Sequence, residues 1–387
     1  MSYLQRAQEL YEQMVSDRRY LHQCPEVGME LPETTEYVIK RLTEMGYQPQ
    51  RLGGGVTAVV TGSPQGKVFL LRADMDALPM EEKSGLPFAS RRSCAHTCGH
   101  DMHTAMLLGA AQMLKEREKE LNGTVKFMFQ PGEEVLTGAK SMVEAGILEN
   151  PHVDAAMGAH MIPMIPVGLG GYGTGVVSAS SDHLVIRIEG KGGHGAHPHT
   201  TVDPINIGVH IHLALQELIS REVDPAETVV LTFGKFQGGE AANIIPASMV
   251  MEGTLRTFNE GLRSRLLARI SAVCAHTAEA FQGSAQVTNL CSTRALAIDR
   301  DTAQSVAHGW QKEGLKMILR GDKMSGSEDF AEVAAQVPST FFVMGGGTAE
   351  EGCGVGLHSP EIRFQEEALI YGAAAYASGA DAWLQTH

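Results

Sequence analysis

In the stretch Lys67-Val-Phe-Leu-Leu-Arg-Ala-Asp-Met-Asp76, an almost unbroken apolar run ends in two carboxylates. Strands of a parallel sheet are buried on both faces and have this pattern. The pattern recurs in TVKFMFQPGEE (124–134) and VDAAMGAH (153–160), and helical spacing follows the strands at 104–118 and 138–148. Strands separated by helices predict an α/β domain with a mixed, largely parallel sheet flanked by helices.

Acidic residues and a histidine stand at the ends of these three strands. Asp74 and Asp76 end the first, Glu133 and Glu134 follow the second, and His160 ends the third. Ligands of open α/β sheets gather beyond the carboxyl ends of the strands. We therefore expect these side chains to meet at one edge of the sheet.

A second kind of unit is inserted after this domain. Residues 163–180 are rich in Gly, Pro and Ser and indicate a loop or hinge. Residues 181–293 then show the order β-α-β-β-α-β, which is typical of a ferredoxin-like α+β unit. Helix–strand alternation returns afterwards, so we predict a first domain in two parts, 1–180 and 294–387, interrupted by an inserted domain at 181–293.

Composition and charge exclude several classes of function. The 387 residues carry a formal net charge of −14, whereas a nucleic-acid-binding surface needs clustered Lys and Arg. The most apolar segment late in the chain, 368–384, is under 20 residues long and contains Asp381, so we expect a core helix and no membrane partner. The early charges do not resemble a signal peptide. Six cysteines are too few for a disulfide scaffold, and we predict reduced thiols in the cytoplasm.

The densest chemical segment is 94–103, where Cys98 and His100 flank a glycine. Thiolate and imidazole are good ligands for first-row transition metals. A histidine-rich surface loop with a buried free cysteine explains this segment about equally well. No paired C-x-x-C is present, so a bound metal would favour an open catalytic site. His96 and His103 are predicted to support the site or the fold rather than to bind metal.

The other candidate ligands are the Glu133–Glu134 pair, His160 and His358. Adjacent carboxylates at a strand end repel unless a cation compensates, and one can bind metal while its neighbour acts as general base. A solvated turn is the ordinary explanation for an isolated Glu-Glu, and either histidine alone is more often a core or loop residue. Together with Cys98 and His100, the set is large enough for two metal ions.

Three further motifs contain candidate functional residues that are not among the candidate metal ligands. Glycines at 190–199 allow a tight loop from which a histidine could reach an oxyanion. Arg256 could hold a substrate carboxylate or simply form a surface ion pair. Gly326 could let a substrate approach the backbone. The chain has no G-x-S-x-G elbow and no phosphate-binding P-loop.

The motifs as a set resemble the aminoacylase and carboxypeptidase-G-like metallopeptidase family, in its hippurate hydrolase-like branch of N-acyl-amino acid amidohydrolases. The resemblance covers nearly the whole chain and rests on the order of RADMDALPMEE, CGHDMHTAMLLGAA, FQPGEE, GAH, GKGGHGAHPH, NIIP, GTLRTF, SGSEDF and LHSPEIRF. After His160 the chain departs from the branch, because Met-Ile-Pro-Met-Ile-Pro replaces a polar residue and a Met-Pro pair. This departure leaves substrate preference open.

The resemblance implies a two-metal enzyme with an inserted lid domain that often forms a dimer. The metal ligands would be Cys98, His100, Glu134, His160 and His358. The general base would be Glu133, and Asp76 would support the site. His194 would stabilise the oxyanion, from its own or the partner subunit, and Asn243 and Arg256 would contact substrate. The ions would be Zn²⁺, Mn²⁺, Ni²⁺ or Co²⁺.

The predicted function is metal-dependent hydrolysis of the amide bond of N-acyl-amino acids by a homodimer. The alternative within enzymology is a dipeptidase or carboxypeptidase acting on small unblocked peptides. A catalytically silent binding protein would be expected to have a broken ligand set, and this set is intact.

Overall fold

A computed structural model describes the whole chain, residues 1–387. The α-helices are α1 Tyr3–Glu9, α2 Tyr11–Gln23, α3 Pro32–Glu44, α4 His100–Glu116, α5 Gly138–Glu144, α6 Pro204–Glu222, α7 Glu260–Ala280, α8 Arg300–Lys312, α9 Ala331–Ala334 and α10 Ala368–Thr386. The strands are β1 Gln50–Leu52, β2 Gly55–Thr61, β3 Val68–Asp74, β4 Thr124–Gln130, β5 Ala155–Ile162, β6 Leu169–Tyr172, β7 Gly175–Ser178, β8 Ser181–Glu189, β9 Gly193–His194, β10 Val229–Gly238, β11 Ile244–Ile245, β12 Ser248–Thr257, β13 Ser284–Thr293, β14 Leu296–Ile298, β15 Lys316–Leu319 and β16 Ser339–Gly345.

The chain divides into two compact units. The first comprises Met1–Val177, Ala297–Asp322 and Asp329–His387. The second comprises Ser178–Leu296 and Lys323–Glu328. The second unit therefore interrupts the first and also takes in a short later segment.

The first unit is built on an eight-stranded sheet in the order β1-β2-β4-β3-β5-β16-β6-β15. Its centre is parallel, because β3 pairs in parallel with both β4 and β5, and β5 pairs in parallel with β16. The strands β1 and β2 are antiparallel to their neighbours. The mixed, largely parallel sheet predicted from the sequence is confirmed.

Helix α10 is the buried core helix predicted from its apolar sequence. It packs closely on α4, since a Cβ added at Gly372 would lie 1.8 Å from Sδ of Met106. The indole of Trp310 in α8 donates to the carbonyl of Ala375 at 2.9 Å, which ties α8 to the same helix. The helix begins at Ala368 and ends at Thr386. No helix in the structure combines the length and apolar character needed to cross a membrane.

The prediction that 163–180 is only a loop or hinge is wrong. Residues Leu169–Tyr172 form β6, an interior strand between β16 and β15, and Gly175–Ser178 form β7. Because β6 contains two glycines, its sequence lacks the apolar pattern that predicts a strand. A Cβ at Gly170 would meet Sδ of Met317 at 2.4 Å and the carbonyl oxygen of Val343 at 2.9 Å. The glycine is therefore required by close approach of neighbouring strands rather than by a turn.

The second unit has the predicted ferredoxin-like order. Its four-stranded antiparallel sheet runs β10-β12-β8-β13, and α6 and α7 supply the two helices. Its own apolar core includes Ile186, Ile211, Met251 and Ile270. The short pair β9 and β11 forms a separate antiparallel ribbon.

Candidate metal centre

The predicted metal ligands meet at the carboxyl edge of the large sheet. Their possible ligand atoms lie within 4.8 Å of one another in three overlapping groups of three residues. The groups are Cys98 with His100 and His160, Cys98 with Glu134 and His358, and His100 with Glu133 and Glu134. The structure thus brings together all five predicted ligands and the predicted base.

Cys98 and His160 form one side of the cluster. Sγ of Cys98 lies 3.3 Å from Nε2 of His160, and Nδ1 of His160 lies 2.6 Å from the carbonyl oxygen of Met161. A carbonyl only accepts, so the His160 proton belongs on Nδ1 and the Nε2 lone pair is directed at the cluster. Burial raises the pKa of the Cys98 thiol well above its usual range. A thiolate there therefore needs a compensating cation.

Glu134 and His358 form the opposite side. Nε2 of His358 lies 3.3 Å from Oε1 of Glu134. The carboxylate of Glu134 beside it raises the pKa of His358; burial alone would raise the pKa of Glu134, but His358 lowers it. His358 has a φ of 62°, in the left-handed region, and its backbone N–H donates to the carbonyl of Thr97 at 2.9 Å. Strained backbone of this kind is typical of functional sites.

His100 lies in the middle and gives the strongest indication that the cluster fits metal. Its side chain is 1% exposed, and neither ring nitrogen makes a hydrogen bond. Nε2 lies 3.9 Å from Oε2 of Glu133 and 3.9 Å from Oε1 of Glu134, which is also without a hydrogen bond. Buried polar atoms are rarely left unpaired. A set of sulfur, nitrogen and oxygen donors with such atoms fits first-row transition metals.

Asp76 fixes the two glutamates by their backbone. Oδ1 accepts from the N–H of Glu133 at 3.0 Å, and Oδ2 accepts from the N–H of Glu134 at 3.1 Å. Oδ1 also lies 3.4 Å from Nδ1 of His100. Asp76 is fully buried, so both contacts are shielded from water. Asp76 therefore holds the backbone of both glutamates in place beside His100.

Sequence reasoning missed a buried polar network directly behind the centre. Arg72 donates to Gln130 at 2.8 Å, to Asp74 at 2.8 Å and to Asp329 at 2.9 Å. Although burial alone would raise it, His100, Arg72 and His103 hold the pKa of Asp74 well below its usual range. The available signal was the i, i+2 spacing of Asp74 and Asp76 at a strand end. No feature of the sequence indicates that Arg72 pairs with Asp329.

His103 and His96 lie in the first unit near the candidate metal centre, and they differ in the hydrogen bonding of their ring nitrogens. Nδ1 of His103 lies 2.5 Å from Oδ1 of Asp74, and Nε2 of His103 accepts from the N–H of Met161 at 2.8 Å. Both ring nitrogens of His103 are thus engaged in contacts within the first unit. His96 is buried with neither ring nitrogen hydrogen-bonded, and burial lowers its pKa to about 4.

The three predicted lid residues His194, Asn243 and Arg256 belong to the second unit. Gly326, predicted in the second part of the first domain, belongs to the second unit as well. His194 in β9 pairs with Ile244 in β11, and the N–H of Gly195 donates to the carbonyl of Asn243 at 2.8 Å. The N–H of Ala196 donates to Nδ1 of His194 at 3.1 Å. Arg256 donates to the carbonyl of Ser325 at 3.1 Å, and nothing lies within 4 Å of a Cβ added at Gly326.

Known proteins resemble this chain over most of its length. Residues 70–381 match the family model of peptidase family M20/M25/M40. The N-acetyl-L-cysteine deacetylase of Bacillus subtilis (strain 168) is 40% identical over 93% of this chain and 86% of its own. The IAA-amino acid hydrolase ILR1-like 4 of Arabidopsis thaliana is 36% identical over 98% and 88%. The crystal structure of the B. subtilis YxeP protein, a dinuclear metal-binding peptidase of family M20, has a TM-score of 0.83 at 31% identity, covering 98% of this chain and 100% of that one.

Proposed function

We propose that this chain, which belongs to peptidase family M20/M25/M40 and is a hydrolase, hydrolyses the amide bond of N-acyl-amino acids. The observation that carries the proposal is buried His100, whose two ring nitrogens make no hydrogen bond and lie among the side chains of the candidate metal centre, beside Glu133. The names of the two relatives point to the same bond type, since one removes an acetyl group and the other releases an amino acid.

We propose that Cys98, His100, Glu134, His160 and His358 hold two divalent metal ions. Such ions would lower the pKa of a bound water and polarise the carbonyl group of the substrate. The mixed donor set is compatible with Zn²⁺, Mn²⁺, Ni²⁺ or Co²⁺. The dinuclear metal binding of the YxeP protein supports the number of ions.

Glu133 would be the general base. Its backbone is fixed by Asp76, and its side chain is almost fully buried near His100. In this role its carboxylate takes a proton from the attacking water and later delivers it to the leaving nitrogen. Glu134, the adjacent residue, would stay a ligand, so the two neighbouring carboxylates have separate tasks.

His194 would stabilise the oxyanion, and Arg256 and Asn243 would contact substrate. Because Nδ1 of His194 accepts a hydrogen bond from the Ala196 N–H, the ring proton belongs on Nε2. His194 is therefore prepared to donate from Nε2 to a developing negative charge. The guanidinium of Arg256 would bind the substrate carboxylate, and Gly326 would leave room for the substrate backbone.

The substrate class is tested by a panel of N-acetyl, N-benzoyl and indole-acetyl amino acids, with free dipeptides as controls. Apo enzyme is loaded in turn with Zn²⁺, Mn²⁺, Co²⁺ and Ni²⁺. We expect metal-restored cleavage of capped substrates and little cleavage of dipeptides. Cleavage of dipeptides alone would replace the proposal with the dipeptidase or carboxypeptidase alternative.

Glu133→Gln tests the base directly. The amide keeps the shape of the side chain but accepts no proton, so we expect kcat to fall by a factor on the order of 10²–10⁴. Metal content, measured by mass spectrometry of the ions, should stay at the wild-type value because the five ligands are intact. Glu134→Gln is the matched control and should lose metal. Wild-type turnover in the Glu133 variant would contradict the assignment.

The homodimer predicted through the inserted domain stays a prediction. It is supported by large apolar side chains exposed on the second unit, at Val209 and Leu213 in α6 and Phe236 in β10. Sedimentation equilibrium of the wild type and of Leu213→Lys tests the predicted homodimer. We expect the wild type to form a dimer and the charge introduced by Leu213→Lys to weaken it.

A further inference from the structure

A series of buried hydrogen bonds connects helix α4 to the backbone beside the proposed ligand His160. The series begins at His103, which is fully buried and lies one helical turn after the proposed ligand His100 in α4. Nδ1 of His103 lies 2.5 Å from Oδ1 of Asp74, and Nε2 lies 2.8 Å from the backbone nitrogen of Met161. Each ring nitrogen of His103 therefore has its own partner.

The two partners fix the tautomer of His103. The backbone N–H of Met161 can only donate, so Nε2 of His103 must carry a lone pair. The ring proton then belongs on Nδ1, from which it is donated to the carboxylate of Asp74. Arg72 donates to the other oxygen of Asp74 at 2.8 Å, so the carboxylate is itself held in place. His103 is thus an oriented acceptor for one backbone amide.

This amide lies where the sheet no longer supplies a partner. The pairing of β5 with β3 ends at Met157. The carbonyl of Ile162 accepts from Gly346 on the β16 side, and successive residues of a strand direct their backbone groups to opposite sides, so the N–H of Met161 is directed toward β3. A buried backbone N–H requires an acceptor. His103 supplies the acceptor that a paired strand would otherwise provide.

Met161 in turn orients the proposed ligand. Nδ1 of His160 donates to the carbonyl of Met161 at 2.6 Å, and Nε2 of His160 lies 3.3 Å from Sγ of Cys98. The rings of His103 and His160 are also in contact, with their centroids 4.7 Å apart. A shift of the backbone at Met161 would move the carbonyl that orients the His160 ring.

We propose, on the basis of the proposed function in which His160 is a metal ligand, that His103 is a positioning residue for metal binding. It holds the backbone of Met161 and thereby sets the direction of Nε2 of His160. The atom that acts is the acceptor Nε2 of His103, whereas the contact with Asp74 sets the tautomer. Hydrogen-bonding groups around metal ligands commonly fix ring orientation in this way.

Two substitutions separate the two nitrogens of His103. In His103→Gln, the amide oxygen can take the place of Nε2 and accept from the N–H of Met161. In His103→Asn, the shorter amide reaches only toward Asp74, so the acceptor for Met161 is lost. Asp74 is a less suitable position for the test, because its Oδ2 also lies 3.7 Å from Nε2 of His100.

The test is competition between the protein and a chromogenic chelator for Co²⁺, together with the visible absorption spectrum of the bound Co²⁺, which depends on its ligands. We expect His103→Asn to weaken Co²⁺ binding by about 10–100-fold and to change the spectrum. His103→Gln should keep the wild-type spectrum and lose clearly less affinity.

Thr104→Val is the matched control. Thr104 is buried, follows His103 in α4 and donates to the backbone carbonyl of Asp74 at 2.9 Å. Its substitution disturbs the contact between α4 and β3 but leaves the acceptor for Met161 in place, so Co²⁺ affinity should stay close to the wild-type value. A loss as large as that of His103→Asn would mean that loosening of α4 is the cause, and the positioning role would be wrong.

A double-mutant cycle identifies the route of the effect. If His103 acts through His160, then His103→Asn should have little further effect on Co²⁺ affinity in a His160→Ala background. Losses that multiply in the double variant would show that His103 does not act through His160 and would overturn the proposal. Equal losses in His103→Asn and His103→Gln would overturn it too, because the acceptor atom would then be irrelevant.

Failure of the ligand assignment gives a different result. His160→Ala that binds Co²⁺ like the wild type would remove His160 from the metal centre and with it the basis of the positioning role. A loss in His160→Ala without a loss in His103→Asn would leave the metal centre intact and contradict only the role of His103. If His103→Asn does not fold, His103→Phe, which also lacks the acceptor, takes its place in the cycle.

Discussion

At the scale of single residues, Asp76 matters because it acts on two neighbours at once. Each of its oxygens accepts one backbone N–H, from Glu133 and from Glu134. One buried carboxylate thereby positions the backbone of both the proposed base and a proposed metal ligand. Groups that orient metal ligands typically change metal affinity or activity 10–100-fold when they are mutated.

We therefore predict that Asp76→Asn lowers kcat/KM by about 10–100-fold. An amide has one acceptor oxygen, so its NH₂ group would face one of the two backbone donors. Metal affinity, measured by chelator competition, should fall as well. The matched control is Asp154→Asn at the other end of β3, where a carboxylate also accepts a backbone N–H, from Val68 at 2.9 Å. An equal loss of metal in both variants would contradict the role of Asp76.

At the scale of elements, β6 is a strand that its own sequence pattern does not predict. Strands such as β3 and β4 can be predicted because their apolar runs have the length of strands and contain β-branched and aromatic residues, which favours a buried strand over a helix. Residues 169–172 instead contain two glycines, and their strand character depends on how closely β15 and β16 approach. That approach is a tertiary property, so the local pattern alone predicts a loop.

The two glycines of β6 should respond differently to the same substitution. A Cβ at Gly170 would meet the fixed carbonyl oxygen of Val343 at 2.9 Å as well as Sδ of Met317 at 2.4 Å. A Cβ at Gly171 meets mainly Cδ of Arg320, at 2.6 Å, and this long side chain can move. We expect Gly170→Ala to lower the free energy of unfolding by about 1–3 kcal/mol and Gly171→Ala by clearly less. Urea unfolding measures both, and equal losses would contradict the packing argument.

At the scale of the whole molecule, the metal centre joins segments that are distant in sequence. Its proposed ligands run from Cys98 to His358, and the network behind it joins Arg72 to Asp329. The sequence predicts the ligands because each stands in a recognisable motif, and the family resemblance is confirmed. The partner of Arg72 could not be predicted, because a salt bridge between residues 257 positions apart leaves no local pattern.

Metal removal should therefore destabilise the whole first unit. Ions that bind the folded chain stabilise it by about 2.7 kcal/mol when their concentration is 100 times Kd. Without these ions, less positive charge compensates the buried carboxylates of Asp74, Asp76 and Glu133, and the ring nitrogens of His100 are left without hydrogen bonds. We expect a chelator to lower the urea midpoint of the wild type and added metal to restore it. In a Cys98→Ala/His358→Ala double variant, which lacks two ligands, the chelator should change the midpoint much less. A chelator effect of equal size in both proteins would mean that the stabilising metal binds outside this centre.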